Sequence, residues 1–309
     1  MHSRPHCGPG LVCSRLNPCR SHPERGRREK SRFATNRAAE SPLREFIPLI
    51  AKDRPELESD LANGIRSASS ASIRSVAAAP EQAFDAAWER VELPIRRSLQ
   101  LAYASLTAGG LACGAVLTDQ SGTIVAEGRN RAYDPPGGDD VLQGTPLAHA
   151  ETNVLARVST DRDLAMCTLW STQEPCSMCT AAAAFTGIGS IRYVAPDPWA
   201  IAADQSRSTR SVERVEAAVG PRIIGPAEDD RWVVSANVIF MLSIGRPRGP
   251  DHPTIARNAE LEPETTAIVR DLLADRSVRL SASVEAFLRP SWALIVVAAA
   301  SRAARVASR

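Results

Sequence analysis

Two short stretches of this 309-residue chain hold side chains whose types and spacing imply chemistry. In Thr145-Pro146-Leu147-Ala148-His149-Ala150-Glu151 an imidazole and a carboxylate are separated by one small residue. In Glu174-Pro175-Cys176-Ser177-Met178-Cys179 two thiols are separated by two residues, and Cys176 lies 27 positions beyond His149. His149, Cys176 and Cys179 make up the ligand inventory of a zinc site that leaves its fourth position to water. Glu151 is then an acid not needed as a ligand. Two thiolates cancel the charge of the ion, and water held by zinc is acidified towards neutrality. The hydroxide can add to an electrophilic carbon while Glu151 carries the proton. Burial in a closed site raises a carboxyl pKa into the range such a shuttle needs. The other readings of these residues are a structural zinc knuckle or a coincidence of common residue types. A structural site wants a fourth protein ligand. Cys167 is the only further Cys or His between the two motifs, and Ala165-Met166-Cys167-Thr168-Leu169 reads as the edge of a buried strand.

The elements that must position these groups follow from spacing. Cys176 and Cys179 are three apart and share one face of a helix, predicted over Cys176–Thr186. Pro175 fits at or just before its start, where a missing N–H costs little. A helix N-terminus also favours thiolates. His149 and Glu151 are two apart, so they cannot share a face of a regular helix and belong at an opening turn. Pro146 before them and the helical run Thr152–Val158 after them support that placement. Thr168–Thr172 and Ser190–Ala195 are predicted strands flanking the Cys176 helix, which makes a parallel crossover unit. Upstream, Glu81–Val91 and Pro94–Ala108 read as helices, the second with Ile95, Leu99, Ala102, Tyr103 and Leu106 at helical spacing. Ala112–Thr118 and Thr123–Glu127 form a hairpin around Asp119-Gln120-Ser121-Gly122. Asn130 then ends a strand close to the His149 turn, where it is either a turn cap or a ligand contact. Ala132–Gly144 is a loop leading directly to His149, either a rim over the site or a plain insertion.

Composition sets the outer limits. The chain is 44% hydrophobic and 23% charged with a net charge of +2, ordinary for a globular protein and no advertisement of nucleic-acid binding. Seven cysteines form no disulfide-like framework, which fits a reducing cytoplasm. Met1 to about Glu40 reads as disordered, without the apolar stretch of a secretory signal. Its His6, Cys7, Cys13, Cys19 and His22 match no zinc-module spacing. Leu43–Ala51 and Pro55–Ile65 are modest helical runs. Residues 1–79 are thus an N-terminal extension, residues 80–245 the chemical domain and residues 246–309 a helical C-terminal extension. In the last part, Arg246-Pro247-Arg248-Gly249-Pro250 reads as a linker after a helix at Trp232–Ile244. Helices follow at Pro263–Asp275 and Val284–Ala304. Ser211–Val219 is also expected to be helical. No apolar run is expected to reach the length of a membrane span; the best, Trp292–Ala300, is about half of one.

Four features together resemble the cytidine and deoxycytidylate deaminase-like superfamily. They are Gly114-Ala115-Val116 after a helix, Gly128-Arg129-Asn130-Arg131, His149-Ala150-Glu151 and Glu174-Pro175-Cys176-Ser177-Met178-Cys179. The likeness is greatest to the branch of guanine deaminases, tRNA adenosine deaminases and bacterial nucleoside deaminases, and covers roughly Pro94 to Pro198. It implies a three-layer α/β/α sandwich with a central mixed sheet, zinc on His149, Cys176 and Cys179, Glu151 as the proton shuttle and Asn130 against the substrate. It also implies a homodimer. The implied reaction is hydrolytic deamination of a nucleobase, nucleoside or nucleotide. Two alternatives remain: editing of adenosine in tRNA, and a non-catalytic zinc-stabilised interaction module. Relative to that branch, the loop between Asn130 and His149 is long and Trp170 stands where a Tyr is usual.

Overall fold

A computed structural model of the chain describes residues 83–138, 140–197, 223–275 and 279–308. The expected elements of the N-terminal extension, its Cys and His residues, and the Ser211–Val219 helix lie outside the described residues. Helix α1 covers 83–90 and α2 Leu93–Thr107; Pro94 opens α2, and Ile95, Leu99, Ala102, Tyr103 and Leu106 line its buried face. The hairpin follows as β1 (Gly114–Thr118) and β2 (Ile124–Arg129). Then come α3 (Ala150–Leu155), β3 (Thr168–Gln173), α4 (Ser177–Phe185), β4 (Ser190–Ala195) and the short β5 (Ile223–Ile224).

The strands form one mixed five-stranded sheet in the order β2-β1-β3-β4-β5. β1 pairs antiparallel with β2 and β3, while β3, β4 and β5 are parallel. The β3-α4-β4 unit is therefore the parallel crossover that the spacing predicts. The two faces of the sheet bury different residues, as strand alternation requires. Ala115, Leu117, Leu169 and Ile191 join Ala150, Val154 and Ala183 under α3 and α4. Val116, Trp170 and Val194 join α1, α2 and α5 (Asp230–Arg248) on the opposite side. This is a three-layer α/β/α sandwich.

α5 is buried all round from Trp232 to Gly245, the pattern of a helix enclosed by other elements. It packs between the sheet and helices α6 (Pro253–Leu261), α7 (Pro263–Ala274) and α9 (Trp292–Ala307). α8 is Val284–Leu288. Aromatic contacts tie the ends of this assembly together: the Phe84 and Trp292 rings lie 5.2 Å apart, as do those of Trp232 and Trp292. One apolar core thus runs from α1 to α9, across the boundary drawn at Gly245.

Two sequence readings need correction. Arg246-Pro247-Arg248 is the last turn of α5, not a linker; the helix ends only where Gly249, at φ 89°, turns back and donates its N–H to the Gly245 carbonyl at 2.8 Å. Pro247 has no N–H to give the Ser243 carbonyl and so removes one backbone hydrogen bond from this turn. Val284–Ala307 is, by length and composition, one helical stretch long and apolar enough to cross a membrane. Here it is split by a tight turn at Arg289–Ser291. Trp292, Ile295, Ala298 and Ala299 sit in the core. Buried Arg302 grips Glu262 with two hydrogen bonds of 2.7 and 2.9 Å and also pairs with Asp230. These contacts pack one face of the helix against the rest of the protein.

Close approach of α2 to β1 fixes the end of the sheet where β1 starts. A Cβ on Gly114 would lie 2.2 Å from the Ser98 carbonyl oxygen and 2.5 Å from the Ala102 nitrogen. Both are backbone atoms, which cannot swing aside. Gly114→Ala is therefore expected to destabilise the protein by about 1–3 kcal/mol or more. A fall in the urea midpoint at constant slope checks it.

Candidate functional site

The sequence-predicted residues meet at one end of the sheet. β3 runs antiparallel to β1, so the end of β3 and the start of β1 lie side by side, with Ala115 opposite Ser171. His149 occupies the N-cap position of α3, and Cys176 that of α4. Both have extended backbone (φ −69°, ψ 160° and φ −67°, ψ 166°), and neither side chain caps its own helix. The side chains instead face each other. His149 Nδ1 lies 3.6 Å from Cys176 Sγ and 3.6 Å from Cys179 Sγ, and the two sulfurs are 3.6 Å apart.

That triangle can be tested against a metal. Tetrahedral zinc, with bonds of about 2.3 Å to sulfur and about 2.0–2.1 Å to nitrogen, requires edges of roughly 3.8 Å (S–S) and 3.6 Å (S–N). The observed edges fit. Among the described residues this is the one group of three His, Cys, Asp or Glu side chains arranged to hold a metal ion. The protonation pattern agrees. The Cys179 thiol donates to Cys176 and, with help from His149, pulls the Cys176 pKa down to about 4. The same bond and burial push Cys179 up. Contact with Cys176 raises the His149 pKa despite burial.

Glu151 sits in the first turn of α3, 5% exposed. Its Oε1 accepts a hydrogen bond from Ser171 Oγ at 2.9 Å, and its Oε2 lies 3.5 Å from Cys179 Sγ. Burial raises its pKa above the ordinary carboxyl value. The carboxyl is therefore fixed beside the thiols and able to hold a proton. Asn130 follows β2 directly and is buried. Its Oδ1 accepts from the Ala132 N–H at 3.1 Å, so the turn-cap reading of the sequence is correct. This bond leaves Nδ2 as the free donor, so the cap does not compete with a ligand contact. Ser105 Oγ donates to the Asn130 carbonyl at 2.7 Å and holds the residue from the α2 side.

Sequence reasoning missed the groups that position these. Asn153 Nδ2 donates to the Arg129 carbonyl at 2.8 Å and to the Ala148 carbonyl at 3.3 Å, stitching β2 to the His149 turn. Ser171 and Asn153 act across 20 and 24 positions of sequence, a range at which no local pattern signals a partner. The one hint in the sequence is the polar run Ser171-Thr172-Gln173 that ends the strand after Leu169 and Trp170. Cys113 also lies at this end, where burial, with smaller contributions from the charges of Glu151, Asp197 and Cys176, pushes its thiol pKa well up. The loop before His149 is pinned by ion pairs. Arg129 binds Asp134 at 2.6 and 3.1 Å, and Arg131 reaches Asp140 at 3.5 Å.

Comparison with known proteins fits this geometry. Residues 89–195 match the family model described as the cytidine and deoxycytidylate deaminase zinc-binding region. The chain is 30% identical over 95 residues to a probable cytosine deaminase of Schizosaccharomyces pombe, covering 30% of this chain and 53% of that protein. It is 34% identical over 109 residues to a tRNA-specific adenosine deaminase of Haemophilus influenzae, covering 34% of this chain and 58% of that protein. The chain thus spans about half the length of the curated relatives it matches. Among solved structures, guanine deaminase from Bacillus subtilis is 30% identical, covering 34% of this chain and 64% of that one, with a TM-score of 0.29. The matched region is a member of the cytidine deaminase-like superfamily.

Asn153→Asp keeps the shape of the side chain but removes both N–H donors, leaving the Arg129 and Ala148 carbonyls without them. A loss of about 1–3 kcal/mol is expected. Chemical denaturation measures it, and an unchanged midpoint would show that the stitch carries no load.

Proposed function

We propose that the protein is a zinc-dependent hydrolytic deaminase of a nucleobase, nucleoside or nucleotide, exchanging a ring amine for a carbonyl with release of ammonia. The observation that carries this reading is the 3.6 Å triangle of His149, Cys176 and Cys179 with buried Glu151 beside it. A purely structural metal site has no use for an acid held in that position. Zinc on the three ligands would supply an acidified water. Glu151 takes one proton from the water side and delivers it to the ring nitrogen; it then takes the second from the added hydroxyl and delivers it to the amine, which leaves as ammonia as the carbonyl forms. Its raised pKa suits both halves of that task, because the carboxyl must accept a proton and then give it up. Ser171 holds Oε1, so the proton moves through the remaining oxygen along a fixed path. Asn130, oriented by its bond to Ala132, presents Nδ2 to an acceptor on the substrate.

The relatives act by name on cytosine, on guanine and on adenosine in tRNA, so the choice of base is open to assay. Ammonia release from a panel of free bases, nucleosides, nucleotides and unmodified tRNA identifies the substrate. Release from tRNA alone would favour the editing alternative. In the same assay Glu151→Gln is expected to lower turnover by about 10²–10⁴-fold. Elemental analysis should still find about one zinc per chain in this variant, as in wild type, because three ligands remain. Equal behaviour of wild type and variant in every assay would leave only the zinc-stabilised interaction module. Folded protein without stoichiometric zinc would end the deaminase reading.

A further inference from the structure

The sheet end that holds the site also holds an arginine with no ionic partner among the described residues. Ser243 on α5 accepts a hydrogen bond from the Ala112 N–H at 3.0 Å, so the last turn of α5 emerges beside the start of β1. Cys113 next to it accepts from the Asn130 N–H at 2.9 Å. Arg248 ends that turn, exposed, with its guanidinium 5.1 Å from the centre of the Tyr133 ring. Tyr133 is three residues beyond Asn130. It stands on the turn whose Arg131 N–H is bonded to the Ala148 carbonyl at 2.9 Å, next to His149. The pair is therefore on the rim of the site.

Its chemistry is specific. A guanidinium laid on an aromatic face keeps its N–H edge outward and its direction fixed. No carboxylate among the described residues takes that edge. Asp134 and Asp140, the described acids of the neighbouring loop, are held by Arg129, Arg131 and Arg157. Arg246, exposed on the same turn of α5, adds positive charge. Tyr133 itself is 54% exposed, a large ring surface left open. An oriented, unpaired guanidinium beside an open ring suits a ligand carrying a phosphate outside the pocket while its base lies inside.

We infer that Arg248 and Tyr133 form a phosphate-binding rim, and that the substrate is a nucleoside 5′-monophosphate rather than a free base or nucleoside. The inference rests on the deaminase reading of the site. It also explains why α5 extends past Gly245: the added turn carries Arg248 to Tyr133.

The test uses the full zinc-loaded chain with cytidine, deoxycytidine, adenosine and guanosine and their 5′-monophosphates. Ammonia release gives kcat/KM, and calorimetry gives binding. For the base that is turned over, the monophosphate is expected to exceed the nucleoside by about tenfold, through KM. Arg248→Gln should bring that ratio close to one, Tyr133→Leu should lower it in part, and Arg248→Lys should restore some of it. Arg248 is exposed, so folding is not at stake. A wild-type ratio of one, or a preference that survives Arg248→Gln, overturns the rim and leaves the deaminase standing. Arg248-dependent binding of monophosphates without ammonia from any compound keeps the rim and removes the deaminase. Neither binding nor ammonia removes both.

Discussion

The structure depends on two helix N-termini being brought to one point. β3 runs against β1 and alongside β4, so α3 and α4 both begin at the end of the sheet where β1 starts. The first turn of a helix is the one place where a side chain stands at a fixed angle beside free backbone N–H groups. Two such starts facing each other hold three ligand atoms 3.6 Å apart without any long, flexible side chain. Stability is given up for this. A good N-cap has a short polar side chain that bonds its own helix, worth about 1 kcal/mol over residues that cannot. His149 and Cys176 occupy both caps and bond neither helix. Local rules are broken at the site and kept elsewhere, as expected where geometry serves chemistry.

This contrast explains what the sequence could reveal. His149-Ala150-Glu151 and Cys176-Ser177-Met178-Cys179 are legible because the chemistry needs these residue types at fixed short spacings. The crossover from Thr168 to Ala195 is legible for a similar reason, since strand and helix periods alternate within one unit. Asn153 and Ser171 are not legible. Their partners, the Arg129 carbonyl and the Glu151 carboxylate, are chosen by how β2 and β3 meet α3, and no local pattern records that. The end of α5 was misread for the opposite reason. Arg246-Pro247-Arg248-Gly249-Pro250 has the composition of a linker, but burial up to Gly245 carries the helix one turn further. α6 also escaped notice, because its amphipathic pattern is short and its opening Pro253 resembled more linker.

Burial of Glu151 acts in two directions. Removing the carboxylate from water disfavours its charged form and so raises its pKa. That same penalty is a cost to folding, because the ionised form is never fully solvated. Ser171 offsets part of it by donating to Oε1. A donor to the charged form also pulls the pKa down, so Ser171 works against burial, which is the larger effect. A single hydroxyl is a mild donor, and a guanidinium here would fix the carboxylate as an anion.

Asn130 shows how a turn cap fixes the direction of a donor. A free carboxamide can flip and present either its oxygen or its nitrogen at similar cost. The Ala132 N–H can pair only with the oxygen, so the bond to Oδ1 settles the flip. Nδ2 is then a donor of fixed direction, held from behind by Ser105 through the Asn130 carbonyl. A ligand that meets it must offer an acceptor, and one offering a donor leaves two N–H groups facing each other without partners. Discrimination of this kind is strong because a buried donor left unmatched costs more than a matched one gains. The turn that ends β2 is thus both a stop for the hairpin and the fixed mount of one buried donor.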